Sequence, residues 1–502
     1  MKKTNALIAS VFIAGLCSII YELLISTSSS YFLGDSVKQF SITIGLYMAA
    51  MGIGSYLSRL ITENVLGKFI MIEILLGFIG GISVPFLYLV YAYLDSYYPY
   101  MVTLILLIGT LIGLEIPLLT RLLERYYTLK VNISNVLSID YVGALVATIL
   151  FPFIILPFFG TFKSSLVFGL INMGIGYLIL LGFRDELDVK QKKKYLILNT
   201  SVFILLLSTL LYSQVLLSSW NSALYEDRII YHKQTKYQKL TFTKHKDDLR
   251  MYINGNLQFS AIDEYRYHES LIHLAASLSN NYKRILILGG GDGLGVREVL
   301  KHKGVEEIHL VDLDPELVNI CKEYQWIRSI NQDSLINKKV KIFNMDAYQY
   351  LINNTQLYDV IYCDLPDPNN LSLTRLYSSE FYQLVRKNLT RDGLFCSQST
   401  SPFFAKEAFW CINNTIKLHF KNTKPYHVYV PSFGDWGFIL ARNGPIDKDK
   451  ITVSVPTRFL NQGGVQNLFN FEKDLFSDIK DVNTMEHPIL LQHYINAWEY
   501  WR

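Results

Sequence analysis

Runs of roughly 20 apolar residues, each long enough to cross about 30 Å of hydrocarbon as a helix, recur through the first part of the chain. They cover 5–25, 40–57, 69–94, 100–119, 141–160, 164–183 and 195–217. After Trp220 the pattern changes. Residues 225–262 alternate in strand fashion over 228–231, 237–243 and 250–253, and Asn254-Gly255 gives a strong hairpin signal. A helix is expected over 268–278. From Arg284 short apolar runs alternate with helical patterns. Strands are expected at 284–288, 307–311, 339–343, 358–363 and 394–397. Helices are expected at 296–302, 315–324, 347–353 and 379–388. This alternation implies a parallel, doubly wound sheet. The expected organisation is a multi-span α-helical membrane domain (1–217), a small antiparallel β-unit with its following helix (218–280) and a Rossmann-like α/β domain (281–502).

Charge sharpens the division. Residues 1–217 hold 14 Lys/Arg and 11 Asp/Glu, against 33 and 32 in the remainder. Lys2, Lys3, Arg59, Lys68, Arg121, Arg125, Lys130, Arg184, Lys190, Lys192, Lys193 and Lys194 fall on one side if the spans alternate. Lys38 and Lys163 fall on the other. The positive-inside rule then puts the N-terminus in the cytoplasm. Lys2 and Lys3 before the first run resemble a signal peptide, but six further spans indicate a retained helix. The run 141–160 carries Pro152 and Pro157 and is the weakest span. Glu22, Glu73, Glu115 and Asp140 lie in or beside the spans. Either they serve a cation, or they sit at interfaces or pair with Arg59, Arg121 or Arg125.

The net charge of +4 gives no basic face for nucleic acid. Cys17, Cys321, Cys363, Cys396 and Cys411 form no CxxC pair, so buried free thiols are expected rather than zinc or disulfides.

Ligands of doubly wound sheets bind beyond the carboxyl ends of the strands. The turn Gly289-Gly290-Gly291-Asp292-Gly293-Leu294-Gly295 and Asp312, Asp314, Asp346, Asp364 and Asp367 all fall there. A glycine turn alone serves dinucleotides and S-adenosyl compounds alike. Asp292 inside it would repel a pyrophosphate, and no matching Lys or Arg accompanies the acids. A cationic ligand is indicated. Asp312 could accept ribose hydroxyls and Asp346 an adenine amino group.

These residues resemble the spermidine synthases, the polyamine aminopropyltransferases. The resemblance runs from about Tyr237 to Phe438. It rests on Tyr237-Gln238, Gln258 with Asp263-Glu264, Tyr267-His268-Glu269, the glycine turn, Asp312-Leu313-Asp314, Asp346-Ala347, Asp364-Leu365-Pro366-Asp367-Pro368, Leu376-Tyr377, Phe381-Tyr382 and Gln398. The first half looks like the N-terminal domain of a membrane-bound branch of that family. The resemblance implies a methyltransferase-like fold and transfer of an aminopropyl group from decarboxylated S-adenosylmethionine, the co-substrate, to putrescine. No metal or other cofactor is expected.

It further implies that Asp364 is the general base. Gln238, Gly289, Gly291, Asp312, Asp346 and Ala347 would hold the donor nucleoside. His268, Asp292, Asp367 and Gln258 would hold the amine. The implied partners are the amine, the adenosyl donor and the lipid bilayer, and dimers are common in the family. Asp312 stands where Glu is usual, and Asp-Leu-Pro-Asp-Pro lacks the usual Ser/Thr between its acids. Trp436 could cap the amine cleft.

Two other readings use the same features: a methyltransferase acting on intact S-adenosylmethionine, and a non-catalytic polyamine transporter or sensor. Seven spans place the second half outside the cell, whereas a cytoplasmic donor favours the inside. The facing side is left open.

Overall fold

The computed structural model describes residues 3–33, 36–94, 96–225 and 227–501; Lys2 lies outside them. The chain forms two compact units, Met1–Glu226 and Asp227–Arg502.

The first unit is helical: α1 (Lys3–Leu33), α2 (Ser36–Leu57), α3 (Val65–Tyr93), α4 (Tyr98–Leu123), α5 (Leu129–Leu150), α6 (Leu156–Gly182), α7 (Val189–Leu211) and α8 (Ser213–Leu224). Six continuous helical stretches are long and apolar enough to cross a membrane. One of them, Leu129–Gly182, joins α5 to α6 through a π-helical turn, Phe151–Ile155, and breaks at Gly160 (φ 67°, ψ 178°). Polar contacts show that this stretch doubles back. At its start, Asn132 donates to the Thr120 carbonyl near the end of α4. Just past its finish, Glu186 pairs with Lys3 at 2.5 Å and with Arg125 at 2.8 Å. Arg121 adds the end of α2 to the same pole through the carbonyls of Ser58 and Ile61. Lys3, Arg121, Arg125 and Glu186 thus share one end of the bundle. The expected break at residue 160 is found, but α5 starts at Leu129, well before the apolar run: its first turns are partly exposed at Lys130 and Asn135, and the buried Asn132 donates to the Thr120 carbonyl.

The second unit opens with an antiparallel sheet, β1 (Arg228–Gln234), β2 (Lys239–His245), β3 (Asp248–Ile253) and β4 (Asn256–Ser260), in sequential order. Asn254 (φ 51°) and Gly255 (φ 84°) are both left-handed, as a tight hairpin between twisted strands requires. Helix α9 (Glu264–Leu278) leads to β5 (Arg284–Gly289), α10 (Leu294–Leu300), β6 (Glu307–Asp312), α11 (Pro315–Glu323), α12 (Gln325–Asn331), β7 (Val340–Asn344), α13 (Ala347–Asn353) and β8 (Tyr358–Asp364). Then follow α14 (Leu371–Thr374), α15 (Ser379–Asn388), β9 (Leu389–Gln398), α16 (Lys406–Lys417), β10 (Asn422–Val430), β11 (Gly434–Arg442) and α17 (Ile489–Trp501).

The larger sheet has the order β10-β11-β9-β8-β5-β6-β7. Strands β5 to β9 run parallel, and β11 and β10 close one edge antiparallel. Alternate strand residues feed two cores. Ile285, Ile287, Val360 and Tyr362 enter one; Leu286, Leu288, Ile361 and Cys363 enter the other. Burial on both faces explains why these strands read as unbroken apolar runs. The chain leaves β5 towards β6 and later returns to β8 on its other side, so the crevice opens between the ends of β5 and β8. All five cysteines are buried and unpaired.

Candidate active site

Gly289 ends β5 directly opposite Asp364 at the end of β8. Its φ is 83°, and a Cβ there would stand 2.0 Å from the Asp364 carbonyl oxygen. Only glycine permits this approach of the two strand ends. Two residues on, the Gly291 N–H donates to Asp312 Oδ2 at 3.0 Å, and a Cβ would fall 2.6 Å from that oxygen. The glycine turn is therefore shaped against the two neighbouring acids.

Asp364 accepts a 2.7 Å bond from the Tyr267 hydroxyl of α9. Asp292 is buried, and its Oδ1 accepts from the Leu294 N–H at 2.8 Å. Burial pushes the Asp292 carboxyl up to about 6; His268 opposes this and Asp364 adds to it. Burial likewise raises Asp312 to about 6, against the bonds from the Asp314 and Gly291 N–H groups.

Asp367 is also raised to about 6 by burial, opposed by its hydrogen bonds. Those come from neutral donors: Tyr494 Oη at 3.0 Å and Thr400 Oγ1 at 3.1 Å on Oδ2, and Gln398 Nε2 at 3.5 Å on Oδ1. Thr400 is held at φ 60°, a conformation that costs a β-branched residue on the order of 1–3 kcal/mol. The strain lies at the residue whose hydroxyl binds Asp367. Among the described residues, no Lys or Arg pairs with Asp292, Asp312, Asp364 or Asp367.

Other expected site residues fall differently. Asp346 caps α13 through the Gln349 N–H at 3.0 Å and pairs with Arg375 at 2.6 Å. The expectation that the acids lack a basic partner is corrected here. A cap and an ion pair already occupy both oxygens of Asp346, and Ala347 is buried beside it as the first residue of α13. Asp314 caps α11 and accepts from Thr235 Oγ1 at 2.7 Å. That bond pins the β1–β2 turn, and with it Gln238, to the end of β6.

Gln258 is the extra residue of a β-bulge opposite Met251 and Tyr252, and its amide donates to the carbonyls of Asn256 and Leu257. It turns back on its own strand rather than joining the acids. His268 is buried, with Nδ1 2.8 Å from Glu264. Burial opposes its charge, but Glu264, Asp292 and Asp364 raise its pKa to about 9. An imidazolium offers no acceptor to an ammonium group, so His268 acts on the surrounding carboxylates. Trp436 packs at 5.2 Å from Phe433 and 6.5 Å from Tyr267, and its buried indole N–H has no partner among the described residues. Tyr267, Thr400 and Tyr494 were not anticipated as ligands of the acids.

Residues 264–449 match the family model "Spermine/spermidine synthase domain". A polyamine aminopropyltransferase of Leptospira interrogans is 41% identical, covering 98% of this chain and 99% of that protein. One from Oceanobacillus iheyensis is 40% identical, covering 99% and 98%. This chain belongs to the polyamine aminopropyltransferase family. A crystal structure of spermidine synthase from Thermotoga maritima is 26% identical and covers 49% of this chain and 85% of that one, with a TM-score of 0.45. Within this family assignment, the matched span holds His268, Asp292, Asp312, Asp346, Asp364 and Asp367. Gln238, Gln258 and Tyr494 lie outside it, although the two bacterial relatives match over nearly the whole chain.

Proposed function

We propose that this chain moves the aminopropyl group of decarboxylated S-adenosylmethionine to a diamine, putrescine first, giving spermidine and methylthioadenosine. The observation that carries this reading is the pair Asp364 and Asp367, with Asp292 across the crevice, held by hydroxyl, amide and backbone donors and, among the described residues, by no Lys or Arg.

An alkylammonium group has a pKa near 10 and must shed a proton before it attacks. Asp364 accepts that proton. The amine nitrogen then forms its bond to the carbon beside the sulfonium. The carbon–sulfur bond breaks, and its electron pair leaves sulfur neutral. Asp367 and Asp292 hold the distal ammonium, and the sheet edge aligns the two reactants. Asp312, beside the glycine turn, holds the ribose. Product analysis of full-length protein given the decarboxylated donor with putrescine, cadaverine, agmatine or spermidine should show spermidine from putrescine. Methyl transfer from intact S-adenosylmethionine, with none from the decarboxylated donor, would overturn the assignment.

Tyr494 sharpens the amine end of this reading. Its hydroxyl favours the charged form of Asp367. Tyr494→Phe is expected to raise KM for the amine about tenfold with little change in kcat, as loss of one bond to a charged group implies. Steady-state kinetics with the donor saturating checks this; an unchanged KM would place Tyr494 outside amine binding.

We also infer that the first unit is embedded in the cell membrane, with its N-terminus cytoplasmic. The apolar stretches and the clustering of Lys3, Arg121 and Arg125 at one pole support it. A reporter fused to the C-terminus tests which face carries the second unit, and recovery of the full chain in the soluble fraction would refute embedding.

A further inference from the structure

Among the described residues, the helical unit buries acids that have no charge partner. The arginines that could have paired with them are engaged elsewhere. Arg121 donates to Ser58 and Ile61, Arg125 pairs with Glu186, and Arg59 stacks on Tyr56. Glu73 of α3 is 0% exposed and Glu115 of α4 is 1% exposed. No hydrogen bond reaches either oxygen of Glu73, or Oε1 of Glu115, from any other described residue, while the two carboxyls lie within hydrogen-bonding reach of each other. The two carboxyls are electrostatic neighbours of one another and of Tyr21.

Glycines on α3 show what else faces them. Gly77 and Gly80 stand four and seven residues after Glu73, on the same helix face. A Cβ at Gly80 would lie 2.5 Å from Cζ of Tyr21, so the hydroxyl-bearing end of that α1 ring rests on this face. A Cβ at Gly77 would lie 3.1 Å from Cβ of Asn172 on α6. Tyr21 and Asn172 are 0% exposed, and the Tyr21 hydroxyl and both amide atoms of Asn172 are also unpartnered. Helices α1, α3 and α4 thus bring a carboxyl pair and a phenol together in one buried region, with Cβ of Asn172 from α6 against the same face of α3. Leaving so many buried polar atoms without partners is costly.

We propose that Glu73, Glu115, Tyr21 and Asn172 form a binding site for the ammonium group of an aliphatic amine, separate from the sheet-edge site. The set is rich in acceptors, which suits a cation carrying three N–H donors. No grouping of three or more His, Cys, Asp or Glu suited to a metal ion occurs among the described residues. The choice of an amine rests on the function proposed above.

The test is equilibrium binding of labelled putrescine to detergent-solubilised full-length chain without donor. Two equivalents should bind. E73Q/E115Q should retain one equivalent and normal aminopropyl transfer, and D367N should lose the other. Tyr21→Phe, which removes one hydroxyl, should weaken the second equivalent about tenfold without altering transfer. One equivalent in the parent chain means the carboxyls hold a proton only, and overturns the proposal. So do two equivalents persisting in E73Q/E115Q. If two equivalents bind and E73Q/E115Q removes one, but no transfer occurs in any protein, the proposed function fails while this site stands.

Discussion

Asp364→Asn is expected to lower kcat for aminopropyl transfer by about 10³-fold, within the range that removal of a positioned general base produces. The substitution is nearly isosteric. The Asn carbonyl can still accept the Tyr267 hydroxyl that now reaches Oδ1 at 2.7 Å, and the backbone approach to Gly289 is untouched. What disappears is the acceptor for the ammonium proton. Donor affinity, read by equilibrium binding, should change little, because Asp312 and the glycine turn are intact. Tyr267→Phe supplies the contrast. It keeps the carboxylate and removes only one hydrogen bond, so its loss should be nearer tenfold. Single-turnover measurement of spermidine formation separates the two. If Asp364→Asn retains activity within tenfold of the parent, another group takes the proton and the assigned base is wrong.

The acids in this argument were legible for a physical reason. A parallel strand buried on both faces leaves an unbroken apolar run, and the first carboxylate after it marks the sheet's carboxyl edge. That placed Asp312 and Asp364, and the glycine turn, without coordinates. The partners those acids take are distant in sequence, and no local pattern shows them. Asp346 looked like its neighbours, but Arg375 lies 29 residues on and no local pattern announces the pair. Tyr494 reaches Asp367 from 127 residues away, on a helix whose sequence, Ile489–Trp501, reads as an aromatic amphipathic segment with no motif. Strands β10 and β11 were missed because Pro425, His427 and Asp435 interrupt the apolar pattern. Pro425 is tolerated because β10 is the edge strand of its sheet. In the helical unit the apolar runs were plain, but helix ends were not. Partly exposed first turns let α5 begin well before its apolar stretch.

The largest stability effect is expected behind the acids rather than among them. Arg297 of α10 is 8% exposed and carries a bidentate pair to Glu264, with both bonds at 2.9 Å. It also bonds Glu298 and the Ile330 carbonyl, each at 2.9 Å. Glu264 in turn holds His268, and His268 faces Asp292 and Asp364. A chain of alternating charge therefore runs from α10 to the sheet edge, all of it out of water. Arg297→Met fills a similar volume but strands Glu264 and Glu298 as buried carboxylates, with His268 and with His273 and Lys301 as their remaining partners. Breaking a buried pair from one side costs about 3–5 kcal/mol, a large share of the 5–15 kcal/mol that typically holds a domain. Thermal unfolding should drop by roughly 10 °C. Adding Glu264→Gln should recover part of that loss, because a buried amide is cheaper to leave unpaired than a carboxylate. The double variant should not recover full activity. Without the Glu264 charge His268 loses its main support as a cation, and Asp292 then stands beside Asp364 with less positive charge to offset them. A midpoint for Arg297→Met within 2 °C of the parent would show that the network carries little of the fold.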